Sequence, residues 1–295
     1  MNRDLQLIEK DICSTICERL DKVGILYRIF SRVKDINSSM EKINRKKQQG
    51  EPYSENGKKM QDIIGVRIVT YFYDDVNLVK KILSDIFDYV DDEIDDIELT
   101  VFKPKRTNII YSFSKGQKEI FDGVINITKN EILLLSDSTF ELQLRTILSE
   151  GWHEIDHSLR YKTKGDWINH SEKERLLNGI YANLEVNDLA MKSLFNELAY
   201  QHFKQKKWEA MLRNKYRLKF HFSIIREDLR KILDEDNTLA KQIFKADRAS
   251  IVDKLSKIEI PLPINFNNII FFINHVYIKN DKISQLTPDF IKSNI

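Results

Sequence analysis

Residues 63–73 read Ile-Ile-Gly-Val-Arg-Ile-Val-Thr-Tyr-Phe-Tyr, a run of β-branched and aromatic side chains interrupted by one glycine and one charge. That composition is suited to a strand buried within a sheet. Further strand-like pieces follow after the acidic turn Asp91–Asp96: 97–103, 108–113, 123–128, 131–136 and 139–146. A helix is predicted over 76–87. Ahead of the buried strand, Leu5, Ile8, Ile12, Ile16, Leu20 and Val23 recur at helical spacing, and a second, basic helix is predicted over 31–47. Gly50, Pro52 and Gly57 mark the connection between them. Helical periodicity resumes at Ile147 and persists almost to residue 257, with Pro261 and Pro263 ending it and an apolar element at 268–278 read as core. The expectation is an α+β chain in two parts, residues 1–165 with a mixed sheet flanked by helices and residues 166–295 mostly helical. A length of 295 residues suits one large core with an appended module, or two domains.

Charge excludes little, since 47 Lys and Arg face 45 Asp and Glu, and clustering has to carry any argument about partners. Cys13 and Cys17 lie one helical turn apart, which is neither a disulfide framework nor a four-ligand zinc site, and they are read as reduced. No apolar run approaches the roughly 18 residues of a membrane span, and the first residues carry acids where a signal peptide needs an apolar core. A cytoplasmic protein with no membrane partner is expected.

Three segments carry chemistry. Strand 139–146 places Glu141, Gln143 and Arg145 at period two, on one face. In the basic segment, Arg32, Lys34, Ser38 and Lys42 fall within little more than two helical turns, the last three at i, i+4 spacing, a cationic and hydroxyl face suited to a polyphosphate. Asp62 stands just before the buried strand, with Gly65 allowing close backbone approach and Arg67 beyond it. A fourth segment, His153-Glu154-Ile155-Asp156-His157, matches the H-E-x-x-H pattern of zinc proteases. No third ligand is singled out by its setting, and Asp156 puts a charge where such enzymes ordinarily have none. Trp152 and Tyr161 are read as packing residues.

Taken one at a time, these residues have bland readings: a solvated lysine face, an exposed strand face, a turn-capping aspartate, a hydrogen-bonded structural histidine. Together and in this order they resemble the RelA/SpoT synthetase family of alarmone enzymes. R-x-K-x3-S-x3-K is met by Arg32, Lys34, Ser38 and Lys42; D-x-x-G-x-R by Asp62, Gly65 and Arg67; E-x-Q-x-R-T by Glu141, Gln143, Arg145 and Thr146. The zinc-like pentapeptide falls inside a fourth family motif, met by Trp152, Asp156, His157, Tyr161 and Lys162.

The resemblance implies a nucleotidyltransferase-like mixed sheet and transfer of the β,γ-pyrophosphate of ATP to a nucleotide 3′-hydroxyl with release of AMP. It implies that Arg32, Lys34, Ser38, Lys42 and Arg67 bind ATP, that Asp62 and Glu141 are catalytic and hold Mg2+, and that Gln143, Arg145, His157 and Lys162 face the acceptor. Guanosine-using members carry K-x-N-G-Y-x-S-x-H ahead of the E-x-Q-x-R strand, and this chain has no N-G-Y there. Lys103, Lys105, Arg106, Tyr111 and Ser112 are the candidates, with Tyr111 or Phe113 to stack on the acceptor base, and the departure predicts a changed acceptor. Too little chain precedes Arg32 to house the family's hydrolase domain, which suggests growth control, a toxin, or phage defence beside a neighbouring gene whose product acts as antitoxin or effector.

Rival functions share the donor site: pyrophosphorylation of the 3′ end of transfer RNA, joining of two nucleotides into a defence messenger, or nucleotide sensing without turnover. Residues 204–219 bear on the first, since Lys204, Lys206, Lys207, Arg213, Lys215, Arg217 and Lys219 interleave with Trp208 and Tyr216 as an RNA-binding helix would. The same residues fit an amphipathic helix with Trp208, Met211, Leu212 and Tyr216 packed inward, and that reading is favoured. Small relatives form homo-oligomers, and one is expected here.

Overall fold

A computed structural model of the chain describes residues 2–94, 107–221 and 224–294. The chain divides into two compact units, one of residues 1–17, 27–71 and 83–185, the other of residues 18–26, 72–82 and 186–295. A cut at residue 165 divides the chain by sequence; these units interleave along it.

The first unit is built on a mixed sheet, in the spatial order β1-β2-β5-β4-β3 among the described residues. Its strands are β1 (Tyr27–Val33), β2 (Ile64–Thr70), β3 (Tyr89–Ile94), β4 (Thr107–Ser112) and β5 (Thr139–Thr146). β2 and β5 run parallel and the other neighbours antiparallel. The predicted buried strand is β2, in which Ile64, Val66 and Ile68 to Thr70 are buried. In β5 the buried residues Phe140, Leu142 and Leu144 alternate with half-buried Glu141, Gln143 and Arg145, so one sheet face is apolar and the other polar. On the apolar face Tyr111 and Phe140 pack with Phe87, ring centroids 5.0 to 5.7 Å apart.

The helices are α1 (Asn2–Val23), α2 (Ile36–Gln48), α3 (Tyr73–Ser84), α4 (Lys115–Thr128), α5 (Glu131–Leu134), α6 (Ile147–Asp156), α7 (Ser171–Lys204), α8 (Trp208–Tyr216), α9 (Glu227–Glu235), α10 (Asn237–Lys245), α11 (Arg248–Ser256), α12 (Phe266–Ile273), α13 (Asp281–Leu286) and α14 (Asp289–Lys292). The six-residue apolar stripe of α1 is buried throughout, as its periodicity predicts.

Three expectations are corrected. The segment 31–47 is not one helix: β1 runs to Val33, Asp35 caps α2 by accepting from the Ser38 amide at 2.9 Å, and only then does the chain turn helical. Residues 123–128 and 131–136 are not strands. The first lies in α4, opened by a capping box in which Ser114 and Gln117 bond each other's backbone, and the second in and just after α5, capped by Asn130. The segment 97–103 lies outside the described residues.

In the second unit Trp208, Met211, Leu212 and Tyr216 are fully buried on α8, so these aromatic faces are core rather than platforms for bases. Buried charge is paired: Arg217 forks onto Asp74 at 2.7 and 3.2 Å, and Arg248 binds Asp75 and the Tyr216 carbonyl. No helix among the described residues is long and apolar enough to cross a membrane.

Candidate active site

The sheet register gathers the polar residues. Arg32 pairs with Gly65 and Gly65 with Glu141, while Phe30 pairs with Arg67 and Arg67 with Gln143. Residues opposed across a ladder project to the same side, so Arg32, Arg67, Glu141 and Gln143 share one face, joined by Asn108 of β4 opposite Gln143. Together with Asp62 they lie at a cavity of about 170 Å³, with Asn108 reaching it through Glu141. A methyl group placed on Gly65 would meet nothing nearer than the Arg32 Cγ at 4.0 Å, so packing does not demand glycine there. Its missing side chain instead leaves the cavity floor bare between Arg32 and Glu141.

Asp62 is the electrostatic centre. The Lys34 amide donates to the Ile63 carbonyl at 2.9 Å, extending the β1–β2 pairing by one residue and setting Lys34 beside Asp62. From α2, Lys42 reaches the same carboxylate; the two ammonium groups stand 2.6 and 2.7 Å from Asp62 Oδ2. Burial pushes the Asp62 carboxyl up, but Lys42 and Lys34 outweigh it and hold the carboxyl below its ordinary value. Lys34 also titrates below its ordinary value despite this bond, because its burial outweighs the attraction of Asp62, and Lys42 and Arg32 repel it further. The two shifts do not cancel: one carboxylate serves more cations than it neutralises, which leaves positive charge for an anionic ligand.

Glu141 is held otherwise. Asn108 Nδ2 donates to one of its oxygens at 3.0 Å and Gln143 Nε2 to the other at 2.9 Å. Burial, then the nearby Asp62 charge, raises its carboxyl above the ordinary value. Two neighbouring acids are thus driven apart in proton affinity, the pattern by which sites divide acid and base work.

No group of three or more His, Cys, Asp or Glu residues suited to a metal is found among the described residues. Mg2+, however, takes one or two carboxylates and completes its shell with phosphate oxygens and water. Asp62 Oδ1 is buried and has no hydrogen-bond partner among the described residues, while both lysines sit on Oδ2. An orphaned carboxylate oxygen beside a second acid fits such an ion, with Asp62 and Glu141 as the residues that would hold it.

Comparison with known proteins matches residues 31–166 to the family described as "Region found in RelA / SpoT proteins". Residues 31–166 are thus similar to a RelA/SpoT region. The GTP pyrophosphokinase YjbM of Bacillus subtilis (strain 168) is 30% identical over 158 residues, a match covering 52% of this chain and 64% of that relative. The chain therefore spans less than two thirds of the length of that relative. Small alarmone synthetase 1 of Bacillus subtilis, solved with its product pppGpp, is 24% identical with a TM-score of 0.49, covering 66% of this chain and 94% of that one. A GTP pyrophosphokinase family protein from Streptococcus pneumoniae is 22% identical with a TM-score of 0.47, covering 65% and 88%.

Within the matched residues 31–166 the remaining predicted residues are less uniformly placed. Arg145 continues the polar face of β5, and Arg145 and Arg67 are bridged by Glu150 of α6, which lies 3.0 and 2.7 Å from their guanidinium nitrogens. Arg67 also binds Gln143 at 3.0 Å and Glu154. Glu150 and Asn108 are not among the residues the sequence points to, and Glu154 enters there only as the Glu of the zinc-like pentapeptide. The two glutamates are spaced i, i+4 on one helix face downstream of an arginine strand, and that spacing was the available signal. Thr146 ends β5 and caps α6 in a box with Ser149, which aims that helix face at the arginines.

The zinc reading of 153–157 fails on placement. Glu154 is an ion-pair partner of Arg67, and His153 is packed between Trp152 and Tyr181 at 5.3 and 5.8 Å, its pKa lowered to about 4 by burial and then by Arg145 and Arg67. His157 is exposed, stacked on Tyr161 at 5.7 Å; burial, Lys162, Arg32 and Arg67 lower its pKa. That influence places His157 within electrostatic reach of the arginines, with exposed Lys162 beside it. Trp152 is buried as expected, whereas Tyr161 is 47% exposed, so a packing role for Tyr161 is corrected.

Ser38 lies in the first turn of α2 next to its cap, with the site lysines on either side of it in sequence. Stacking by Tyr111 is corrected: the side chain is fully buried on the apolar sheet face with its hydroxyl 3.0 Å from Ser84 Oγ, and Phe113 is buried against Phe121. Both follow from strand parity, since Tyr111 pairs with Phe140 while the site residues pair with Glu141 and Gln143. Lys103, Lys105 and Arg106 lie outside the described residues.

Proposed function

We propose that the chain transfers the β,γ-pyrophosphate of ATP to the 3′-hydroxyl of a nucleotide, as a Mg2+-dependent pyrophosphokinase making a signalling nucleotide of the (p)ppGpp kind. The observation that carries the reading is the cradle itself, two lysines converging on a buried carboxylate with a second acid of raised proton affinity one strand away. Support comes from the family match over 31–166 and from the relative named GTP pyrophosphokinase.

In this reading Lys34, Lys42 and Arg32 neutralise the ATP phosphates, and the entering anion draws the lysines off Asp62. Mg2+ held by Asp62 and Glu141 would offset phosphate charge. Arg67 leaves exposed Glu154 to meet the donor, while Glu150 keeps Arg67 and Arg145 aligned. Glu141, with its raised proton affinity, accepts the proton of the acceptor hydroxyl. The acceptor oxygen bonds to the β-phosphorus, the bond from that phosphorus to the α–β bridging oxygen breaks, and AMP leaves with the electron pair. Gln143 and Arg145, with His157 and Lys162 at the margin, face the acceptor.

Purified protein with Mg2+, ATP and a panel of ribo- and deoxynucleotides and bulk transfer RNA tests this. AMP formed in step with a 3′-pyrophosphorylated nucleotide supports it. Label on transfer RNA would move the acceptor to RNA, and free pyrophosphate with a joined dinucleotide would replace the reading by nucleotidyl transfer.

A further inference from the structure

A further cavity lies outside the site just described. In the second unit, a cavity of about 840 Å³ opens between the end of α11, the end of α12 and the C-terminal residues. Its volume lies within the roughly 300 to 1,000 Å³ of sites that take small organic ligands, well beyond what a single ion fills.

Its charge is one-sided. Lys254, Lys257 and Lys279 line it against the single acid Glu259. Lys257 shares Asp253 with Lys81, at 3.3 and 3.0 Å, so one carboxylate serves two ammonium groups. Lys254 lies over the Tyr277 ring at 4.6 Å, and Lys279 has no ion-pair partner among the described residues. Ile258, Phe272 and Val276 give the same cavity an apolar wall, and His275 adds a further nitrogen donor.

The wall is held in shape. After α12 the chain makes a π-turn over Asn274–Ile278 and ends it with Lys279 in the left-handed region, φ 57°, a conformation that costs a non-glycine residue energy. Buried Asn274 fixes that turn: its amide nitrogen donates to the Asn280 carbonyl at 3.1 Å and to Ser284 Oγ at 3.0 Å, and its oxygen accepts from the Asn280 amide at 2.8 Å. A strained turn secured by a buried amide keeps His275, Val276 and Lys279 on one cavity rim.

We infer that this cavity is a second nucleotide site, binding a nucleoside polyphosphate with its phosphates on Lys254, Lys257 and Lys279 and its base against Phe272 and Val276. The inference does not depend on the chemistry proposed for the sheet unit.

Equilibrium dialysis of the full chain with ATP, GTP and inorganic tripolyphosphate tests it. Wild type is expected to bind two nucleotide equivalents, Lys254→Ala/Lys279→Ala to lose one, and Lys34→Ala/Lys42→Ala to lose the other. Lys257→Glu, on the same rim, should repeat the first loss. Tripolyphosphate should bind the helical site about tenfold more weakly than a nucleotide, the difference being the base contact. Binding unchanged from wild type in both rim variants, a single wild-type equivalent that Lys34→Ala/Lys42→Ala abolishes, or tripolyphosphate binding the helical site as tightly as nucleotide would each overturn the inference. A single wild-type equivalent that the rim variants abolish and Lys34→Ala/Lys42→Ala keeps would tell against the sheet-unit reading alone.

Discussion

At the scale of single residues, the site is a set of unequal charges in a small space. Lys34 and Lys42 share one oxygen of Asp62 and leave the other without a partner among the described residues, so the carboxylate is over-neutralised on one side and bare on the other. Replacing Lys42 by alanine should weaken ATP binding by about tenfold or more, consistent with loss of a charge-assisted contact, and raise the apparent pKa of Asp62; calorimetry with ATP reads the first effect and carboxyl NMR the second. His153 gives a separate, pH-linked prediction. Its folded pKa of about 4 lies below the ordinary 6.5, so the unfolded chain binds the extra proton between those values. Stability from this group is therefore complete above pH 6.5 and falls as pH drops through 4, by roughly 3 kcal/mol. Urea titrations across that window should show the slope in wild type and a flatter one in His153→Phe.

At the scale of elements, β5 and α6 act as one device. The alternation of β5 sets Glu141, Gln143 and Arg145 on the site face, Thr146 ends the strand by capping α6, and α6 returns Glu150 to clamp two arginines. Glu150→Gln removes the shared counter-charge from two partly buried guanidinium groups and should cost about 2 kcal/mol in denaturant unfolding. Strand parity also decides Tyr111. Tyr111→Leu should lower stability by about 2 kcal/mol, as for truncating a core aromatic, while leaving the KM for the acceptor unchanged. A raised KM with unchanged stability would restore the stacking role.

The same elements show what was legible in the sequence. Period two is unambiguous when polar residues occupy alternate positions, so the site face of β5 could be read directly, as could the buried run of β2. Lys34, Ser38 and Lys42 fit helical spacing by coincidence, because Arg32 belongs to β1 and Lys34 follows it, while Ser38 and Lys42 lie on α2. Asp35 was the stop sign, an N-cap inside the supposed helix. Residues 123–128 and 131–136 are short apolar runs, for which periodicity cannot separate strand from buried helix. The arginine pairing of Glu150 and Glu154 escaped because the two arginines are distant in sequence and adjacent only through the β2–β5 register.

At the scale of the whole molecule, the match to the RelA/SpoT region covers residues 31–166, all of which except 72–82 belong to the sheet unit that holds the candidate site. The helical unit carries its own core and its own cation-lined cavity. In the proposed function, Asp62 and Glu141 form the reacting centre of a pyrophosphate transfer. The most direct measurement follows label from γ-labelled ATP in the presence of Mg2+, using the acceptor panel, for wild type, Asp62→Asn and Glu141→Gln side by side. Label transferred intact to a nucleotide by wild type, and lost by at least about a hundredfold in both variants while each remains folded, is the predicted result. Transfer that survives either substitution, or no transfer to any acceptor by wild type, would contradict it.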